Sequence, residues 1–262
     1  MISLPWVALS DGWTEAPEAA VLPGTSWRKR VRFHAVAFLL QHPVAGPILI
    51  DSGYSSRFFS ETATFPASLY RHLTPVTLTD PQGIAGQLRR TGIEPNEVRH
   101  IIITHFHADH VGGLRDFPEA LFHCSRDAWE SVKGLSGFSA LRHAFLPGLL
   151  PSDVEERLSF VGEGSDVFGD GSLTVIDLPG HAPGQIGLRF RGAEGRSILL
   201  ASDASWISTA FRENRMPHPV TRILNDWPSY RATLARLHEI HLREPDLLIL
   251  PTHCPETAAL LT

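Results

Sequence analysis

The chain has 262 residues, enough for one large domain or two small ones, and its 43 % hydrophobic content suits a globular protein with a sizeable core. A net charge of −5 argues against a polyanion-binding surface, and 2 cysteines exclude a disulfide framework. The unusual number is 14 histidines, more than half the 23 lysines and arginines combined, so their placement is the first thing to explain.

In chain order, the opening MISLPWVALSDGW has no basic n-region and no long apolar stretch, so a signal peptide is not expected. No apolar run approaches the ~20 residues of a membrane span, and a soluble, cytoplasmic protein with no membrane partner is the expectation. VAFLL (36–40) and PILI (47–50) read as strands, the second running into Asp51. FFSETATFPASLY (58–70) reads as a lid or a packing loop, and PQGIAGQLRRT (81–91) as a helix with Ile84 and Leu88 on one face. HIIIT (100–104) is a strand that runs into His105, and residues 125–133 form a shorter helix. The weakly patterned stretch 134–166 is expected to be a boundary between halves or a segment covering the substrate. LTVIDL (173–178) leads to His181, SILLAS (197–202) to Asp203, and DLLILP (246–251) to His253. Before the last of these, PSYRATLARLHEIH (228–241) starts with proline in its first turn and spaces Leu234, Leu237 and Ile240 along one helical face. Strands that read as buried on both faces, mixed with helices, predict a layered α/β arrangement in a single domain spanning 1–262.

The stretch IIITHFHADHVGG (101–113) packs His105, His107, Asp109 and His110 into six positions. A buried core does not select such residues, because each brings polar groups that need partners. Together with His181, Asp203 and His253 they form a set of seven, too many for one tetrahedral site and suited to two neighbouring metals with one bridging carboxylate. His105 and His107 alternate by two, so in extended backbone both imidazoles point the same way. A turn at Ala108 would then aim Asp109 and His110 at a second position, with Gly112 and Gly113 supplying flexible backbone. The other histidines read as surface or core residues, and Cys124 and Cys254 as small buried hydrophobes.

These motifs resemble the metallo-β-lactamase superfamily through nearly the whole chain. Its H-x-H-x-D-H motif is similar to His105-Phe106-His107-Ala108-Asp109-His110, its later histidine to His181 in LPGHAPGQIGL, its bridging aspartate to Asp203 and its last histidine to His253. Its early Asp-x-Gly matches Asp51-Ser52-Gly53, which implies that Asp51 supports the ligands from behind. The resemblance implies a four-layer αββα sandwich with the metals at one edge of the two sheets. Within the superfamily the chain looks most like the dinuclear N-acyl homoserine lactonases: SDASW (202–206) resembles their Asp-Ala-Ser-Tyr segment, with Trp206 in the tyrosine's place. Tryptophan offers one N–H donor and no acceptor, so the contact with substrate changes.

The likeness further implies that His105, His107 and His181 hold one metal and Asp109, His110 and His253 the other, with Asp203 between them. Zinc is the first expectation, with iron, manganese or cobalt accepted by the same donors. It implies a metal-bridging hydroxide that cleaves a lactone or other carboxylic ester, with Asp109 holding or shuttling its proton. Two alternative activities are a thioester hydrolase resembling glyoxalase II and a mononuclear iron oxidoreductase similar to the persulfide dioxygenases; a degenerate scaffold without turnover is the third alternative. Substrate contacts are expected from WISTAFRENRMPHPVTR (206–222), with Trp206 as a pocket wall and Arg212 and His218 on a polar or acidic group. Tyr230 is a further candidate for the missing hydroxyl. The expected partner is a small molecule, not nucleic acid, and oligomeric state is not encoded in any pattern of the chain.

Overall fold

The computed structural model describes residues 2–261 as two β-sheets packed face to face, with helices on both outer surfaces. The strands are β1 (Trp6–Pro17), β2 (Arg30–His42), β3 (Gly46–Ile50), β4 (Thr77–Leu78), β5 (His100–Ile102), β6 (Leu121–Ser125), β7 (Leu158–Val161), β8 (Leu173–Asp177), β9 (Ile186–Arg191), β10 (Ser197–Ser202) and β11 (Leu248–Pro251). One sheet runs β4-β1-β2-β3-β5-β6-β7 and the other β11-β10-β9-β8. This is the αββα sandwich that the sequence resemblance implied. No helix among the described residues is long and apolar enough to cross a membrane.

The apolar runs are continuous because both faces of these strands are covered, and the period of two sorts their side chains into separate layers. Phe38 and Leu40 of β2, Ile102 of β5, and Ile198 and Leu200 of β10 meet between the sheets. Their neighbours Ala37, Leu39 and Ile101 face the helices outside the large sheet. Leu199 and Ala201 face Leu234 and Leu237 of the Trp227–Arg243 helix outside the small one.

Four of the predicted strand ends converge at one edge of the sandwich, tied by a run of hydrogen bonds. The Thr252 amide donates to the Ser202 carbonyl at 3.0 Å, the Ser202 hydroxyl to Thr104 Oγ1 at 2.8 Å, and the Thr104 amide to Asp51 Oδ1 at 2.8 Å. Asp51 and Ser202 carry positive φ of 60° and 49°, backbone that non-glycine residues seldom adopt and that marks functional corners.

Several expectations need correction. Gly112 and Gly113 have ordinary φ of −59° and −90°, so flexibility is not their role. They allow close approach instead: a Cβ on Gly113 would lie 2.5 Å from the Ser52 carbonyl oxygen, and one on Gly112 would lie 2.7 Å from that of Gly53. The stretch 134–166 needs no such correction: it holds the Gly137–Arg142 helix and β7, the edge strand of the large sheet, crosses to the small sheet where the Gly164 amide bonds the Val175 carbonyl at 2.9 Å, and places Arg142 and His143 on the wall of a cavity beside the ligands. In the 58–70 stretch, Phe58 and Tyr70 are core residues, so packing rather than a lid describes them.

Asp11 sits in a bulge of β1, fully buried, with Oδ1 accepting the Tyr54 amide at 3.0 Å and Oδ2 without any partner. Burial pushes its pKa well above the usual carboxylate value, against the Tyr54 amide, and the charges of Asp80 and Asp109 add to the rise. A carboxyl whose folded pKa is raised leaves stability intact below its unfolded value of about 3.9 and removes it as pH rises through the folded value. Asp11→Asn is therefore expected to stabilise the fold by about 1 kcal/mol or more at pH 8 and to change little near pH 4. Thermal unfolding at the two pH values measures the difference; an equal shift at both would remove the argument.

Candidate metal centre

The edge where the strands end brings all seven candidate ligands together. Three groups have nitrogen and oxygen atoms within 4.8 Å of one another: His105, His107 and His181; His105, His110 and Asp203; and Asp109, His110 and His253. Asp203 stands between the two sides. Its Oδ2 lies 2.9 Å from His253 Nε2 and 3.3 Å from His181 Nε2, while Oδ1 lies 3.5 Å from His110 Nε2. Asp109 Oδ2 is 3.3 Å from His253 Nε2 and 3.7 Å from His110 Nε2. His107 turns Nδ1 toward His181 Nε2 at 3.0 Å.

The inward nitrogens are fixed by what holds the outward ones. His110 Nδ1 donates to Asp51 Oδ2 at 2.7 Å, and Asp51 also accepts from the Thr104 hydroxyl at 2.8 Å. His253 Nδ1 donates to the His34 carbonyl at 2.8 Å, and His181 Nδ1 to Asn225 Oδ1 at 3.1 Å. The Asn225 amide group in turn donates to the Thr221 carbonyl, which sets which way that side chain faces. His105 Nδ1 lies 3.2 Å from the Thr104 hydroxyl and 3.4 Å from that of Ser202. A ring whose far nitrogen is committed in this way presents its other lone pair in one direction, as in carboxylate–histidine–metal arrangements. Phe33 stacks on His253, with centroids 4.9 Å apart and planes 4° from parallel.

Electrostatics divide the imidazoles into two kinds. Burial opposes charge on His253, yet Asp203 and Asp109 hold its pKa up at about 10; His110 is likewise raised, against burial, by Asp51, Asp109 and Asp203. His107 falls to about 3 through burial and the nearby His181, and His105 falls well below its ordinary value through burial and the neighbouring His110 and His107. Asp109 drops to about 2, since His110 and His253 outweigh its burial. The result is a buried cluster in which His105, His107 and His181 are neutral while His110 and His253 hold protons against ionised Asp109 and Asp203, protons that a divalent cation on the same donors would displace.

Three atoms test that fit. His105 Nε2, His110 Nε2 and Asp203 Oδ1 are buried with no hydrogen-bond partner. An orphaned buried polar atom costs about 1–3 kcal/mol, and three in one cluster all pointing inward are relieved together by cations. The residues fit a metal pair. Asp51→Asn should leave the ligands in place but loosen His110, lowering metal affinity by about 10–100-fold in a chelator competition. Unchanged affinity would show that the Asp51 bond is incidental.

The substrate contacts expected from 206–222 fare differently. Trp206 is 6 % exposed and wedged between Phe33, His181 and Tyr230 at centroid distances of 5.9, 5.8 and 6.3 Å; it does not line the cavity beside the cluster, so it is a core residue behind the ligands and not the expected pocket wall. Arg212 does not reach the cavity beside the cluster; it forms a forked pair with Glu256 at 2.8 and 2.7 Å, because Phe211 takes the inward face of their short helix. His218 is also occupied: its Nδ1 accepts the Val220 amide at 3.2 Å, and its ring meets Trp27 edge-on at 4.9 Å. Tyr230 is buried against Trp206. Cys124 and Cys254 are buried free thiols, as expected.

The supports that sequence reasoning passed over are Thr104, Ser202, Asn225, Phe33 and the His34 carbonyl. Thr104 and Ser202 directly precede His105 and Asp203, a signal that was available. Asn225 lies 44 residues beyond His181 in an irregular segment, and nothing in its surroundings marks it.

Comparison with known proteins gives the same picture. The family profile of the metallo-beta-lactamase superfamily matches residues 30–249. The N-acyl homoserine lactonase AttM of Agrobacterium fabrum is 31 % identical over 191 residues, which cover 69 % of this chain and 68 % of AttM. Among solved structures, an N-acyl homoserine lactone hydrolase with the product N-hexanoyl-L-homoserine at its catalytic metal centre superposes with a TM-score of 0.75 at 21 % identity, over 98 % of this chain and 96 % of that one. The dizinc quorum-quenching lactonase AidC gives 0.70 at 14 % identity, over 96 % and 88 %. At these identities the two structures speak for the fold alone.

Proposed function

The chain belongs to the metallo-beta-lactamase superfamily, and on that premise we propose that it is a dinuclear metallohydrolase that opens a lactone or a related carboxylic ester. The observation that carries the reading is Asp203, whose carboxylate reaches His181 of one group of ligands and both His253 and His110 of the other. The lactone preference draws support from AttM and from the SDASW segment.

In this reading His105, His107 and His181 hold one divalent cation, Asp109, His110 and His253 hold the other, and Asp203 joins them. When bound, such a pair, zinc first, would supply Lewis acidity for the carbonyl and would lower the pKa of a nearby water to roughly 7. Asp109 remains ionised and its side chain is 12 % exposed, so its carboxylate can hold the proton released as the nucleophile adds. That proton then passes to the leaving alkoxide oxygen, so the carboxylate ends as it began. Asn225 and Asp51 keep the His181 and His110 rings from rotating during this exchange. Phe33 and Trp206 close the cluster from behind and keep bulk water out.

The test is a substrate panel on zinc-loaded protein: a γ-lactone, a thioester and a phosphodiester. Lactone turnover well above the other two is expected. Faster thioester hydrolysis would move the chain toward glyoxalase II-like chemistry, and no hydrolysis, together with one iron per chain in protein purified without added metal, would move it to oxygen chemistry.

A further inference from the structure

A cavity of about 420 Å³ adjoins the cluster and shares His107 and His181 as its inner wall. Much of its lining is apolar, with Phe106, Val132, Pro179 and Ile223 among the walls. Two oppositely charged side chains also line it. Asp226, at the start of the Trp227–Arg243 helix, is engaged: its carboxylate accepts the Ser229 hydroxyl at 2.5 Å, and it sits where the helix dipole favours negative charge. Arg142, the last residue of the Gly137–Arg142 helix, has no carboxylate or carbonyl partner among the described residues. Arg142 is exposed, and Arg28, Arg191 and Arg231 are likewise without a carboxylate partner among the described residues; what sets Arg142 apart is its place on the wall of the cavity that His107 and His181 also line.

An arginine at a helix C-terminus has a structural use, since it complements the dipole there. That use does not require a place on the wall of the same cavity as two candidate metal ligands. The guanidinium fork matches a carboxylate in two-point geometry.

We propose that the substrate of this hydrolase carries an anionic group, a carboxylate in the simplest case, which Arg142 receives while the reacting carbonyl lies against His107 and His181. The inference rests on the hydrolase reading and narrows it from lactones in general to acidic ones. Arg142 is then a specificity residue that acts in binding and takes no part in bond making. Asp226, which also lines the cavity, disfavours a second acid on the substrate.

The experiment compares zinc-loaded wild type with Arg142→Gln and Arg142→Lys on a γ-butyrolactone carrying a ring carboxylate and on its uncharged methyl ester. The wild type is expected to prefer the acid form. Arg142→Gln should lower the acid-to-ester ratio of kcat/KM by at least about tenfold, mainly through KM, and Arg142→Lys should restore part of it. Calorimetric titration with glutarate repeats the comparison without turnover and should show a similar loss of affinity in Arg142→Gln. A ratio and a glutarate affinity that do not change with Arg142 would overturn the inference while leaving the hydrolase reading standing. Glutarate binding that depends on Arg142, with neither lactone hydrolysed, would support the anion site and overturn the hydrolase reading.

Discussion

Asp203→Asn is expected to lower lactone hydrolysis by at least about 10³-fold and to reduce bound metal from about two ions per chain to about one or none. The reason is position. Asp203 alone has oxygens facing both sides of the cluster, at 2.9 Å from His253 Nε2, 3.3 Å from His181 Nε2 and 3.5 Å from His110 Nε2. Asparagine keeps the shape, loses the charge and replaces one acceptor oxygen with an N–H donor. Losing an anion that two cations share in a buried site costs several kcal/mol, and each 1.36 kcal/mol at the transition state is about tenfold in rate. Because the change is nearly isosteric, the metal-free variant should unfold within a few degrees of wild type. Metal analysis, steady-state kinetics and thermal unfolding on one preparation check the three parts together. His107→Ala should likewise lose metal and activity with the fold largely formed.

The second large effect comes from a glycine. Gly180 precedes His181 with φ of +130°, and a Cβ there would lie 2.2 Å from the Tyr230 amide nitrogen and 2.3 Å from its Cα. Both the backbone conformation and the space exclude a side chain. Gly180→Ala must push the Trp227–Arg243 helix outward, and the Asp226 amide, which donates to the Gly180 carbonyl at 2.8 Å, goes with it. Asn225 adjoins that contact and anchors His181, so damage to packing becomes damage to the cluster. The expected cost is about 3 kcal/mol or more, a fall in Tm of roughly 6–12 °C, accompanied by loss of lactone hydrolysis. Gly162→Ala is the control: an added Cβ there meets nothing within 4 Å, and a change within about 0.5 kcal/mol is expected. Equal stability of the two variants would contradict the packing argument.

What the sequence revealed, and what it hid, follows from how each signal is encoded. β2, β3, β5, β8, β10 and β11 were legible because burial on both faces leaves an unbroken apolar run. β1 was not, because Asp11 and Gly12 interrupt it where the ladder with β2 bulges between Ser10 and Trp13. β6, β7 and β9 are short or interrupted by polar residues, as in LFHCS, LSFV and IGLRFR, and lack that run.

The ligands stood out because His105, His181, Asp203 and His253 each lie within four residues of a strand end, and His107, Asp109 and His110 follow His105 closely, so sequence position and spatial position coincide at the sheet edge. The substrate side was far less legible. Arg212 and Phe211 are neighbours in sequence but about 100° apart around a helix, and only the fold decides which of them turns inward. Arg142 ends a six-residue helix and Asn225 lies in an irregular segment; where each is carried depends on the finished sandwich, and no local pattern announces either.

The central claim is that one buried cluster, shared through Asp203, works as a metal pair. The measurement that tests it most directly is zinc titration of chelator-stripped protein while lactone turnover is followed in the same cell. Activity should start near zero and reach its plateau at about two equivalents of zinc per chain, with Asp203→Asn failing to reach it at any ratio. Full turnover by the stripped protein, or a plateau at about one equivalent, would contradict the account.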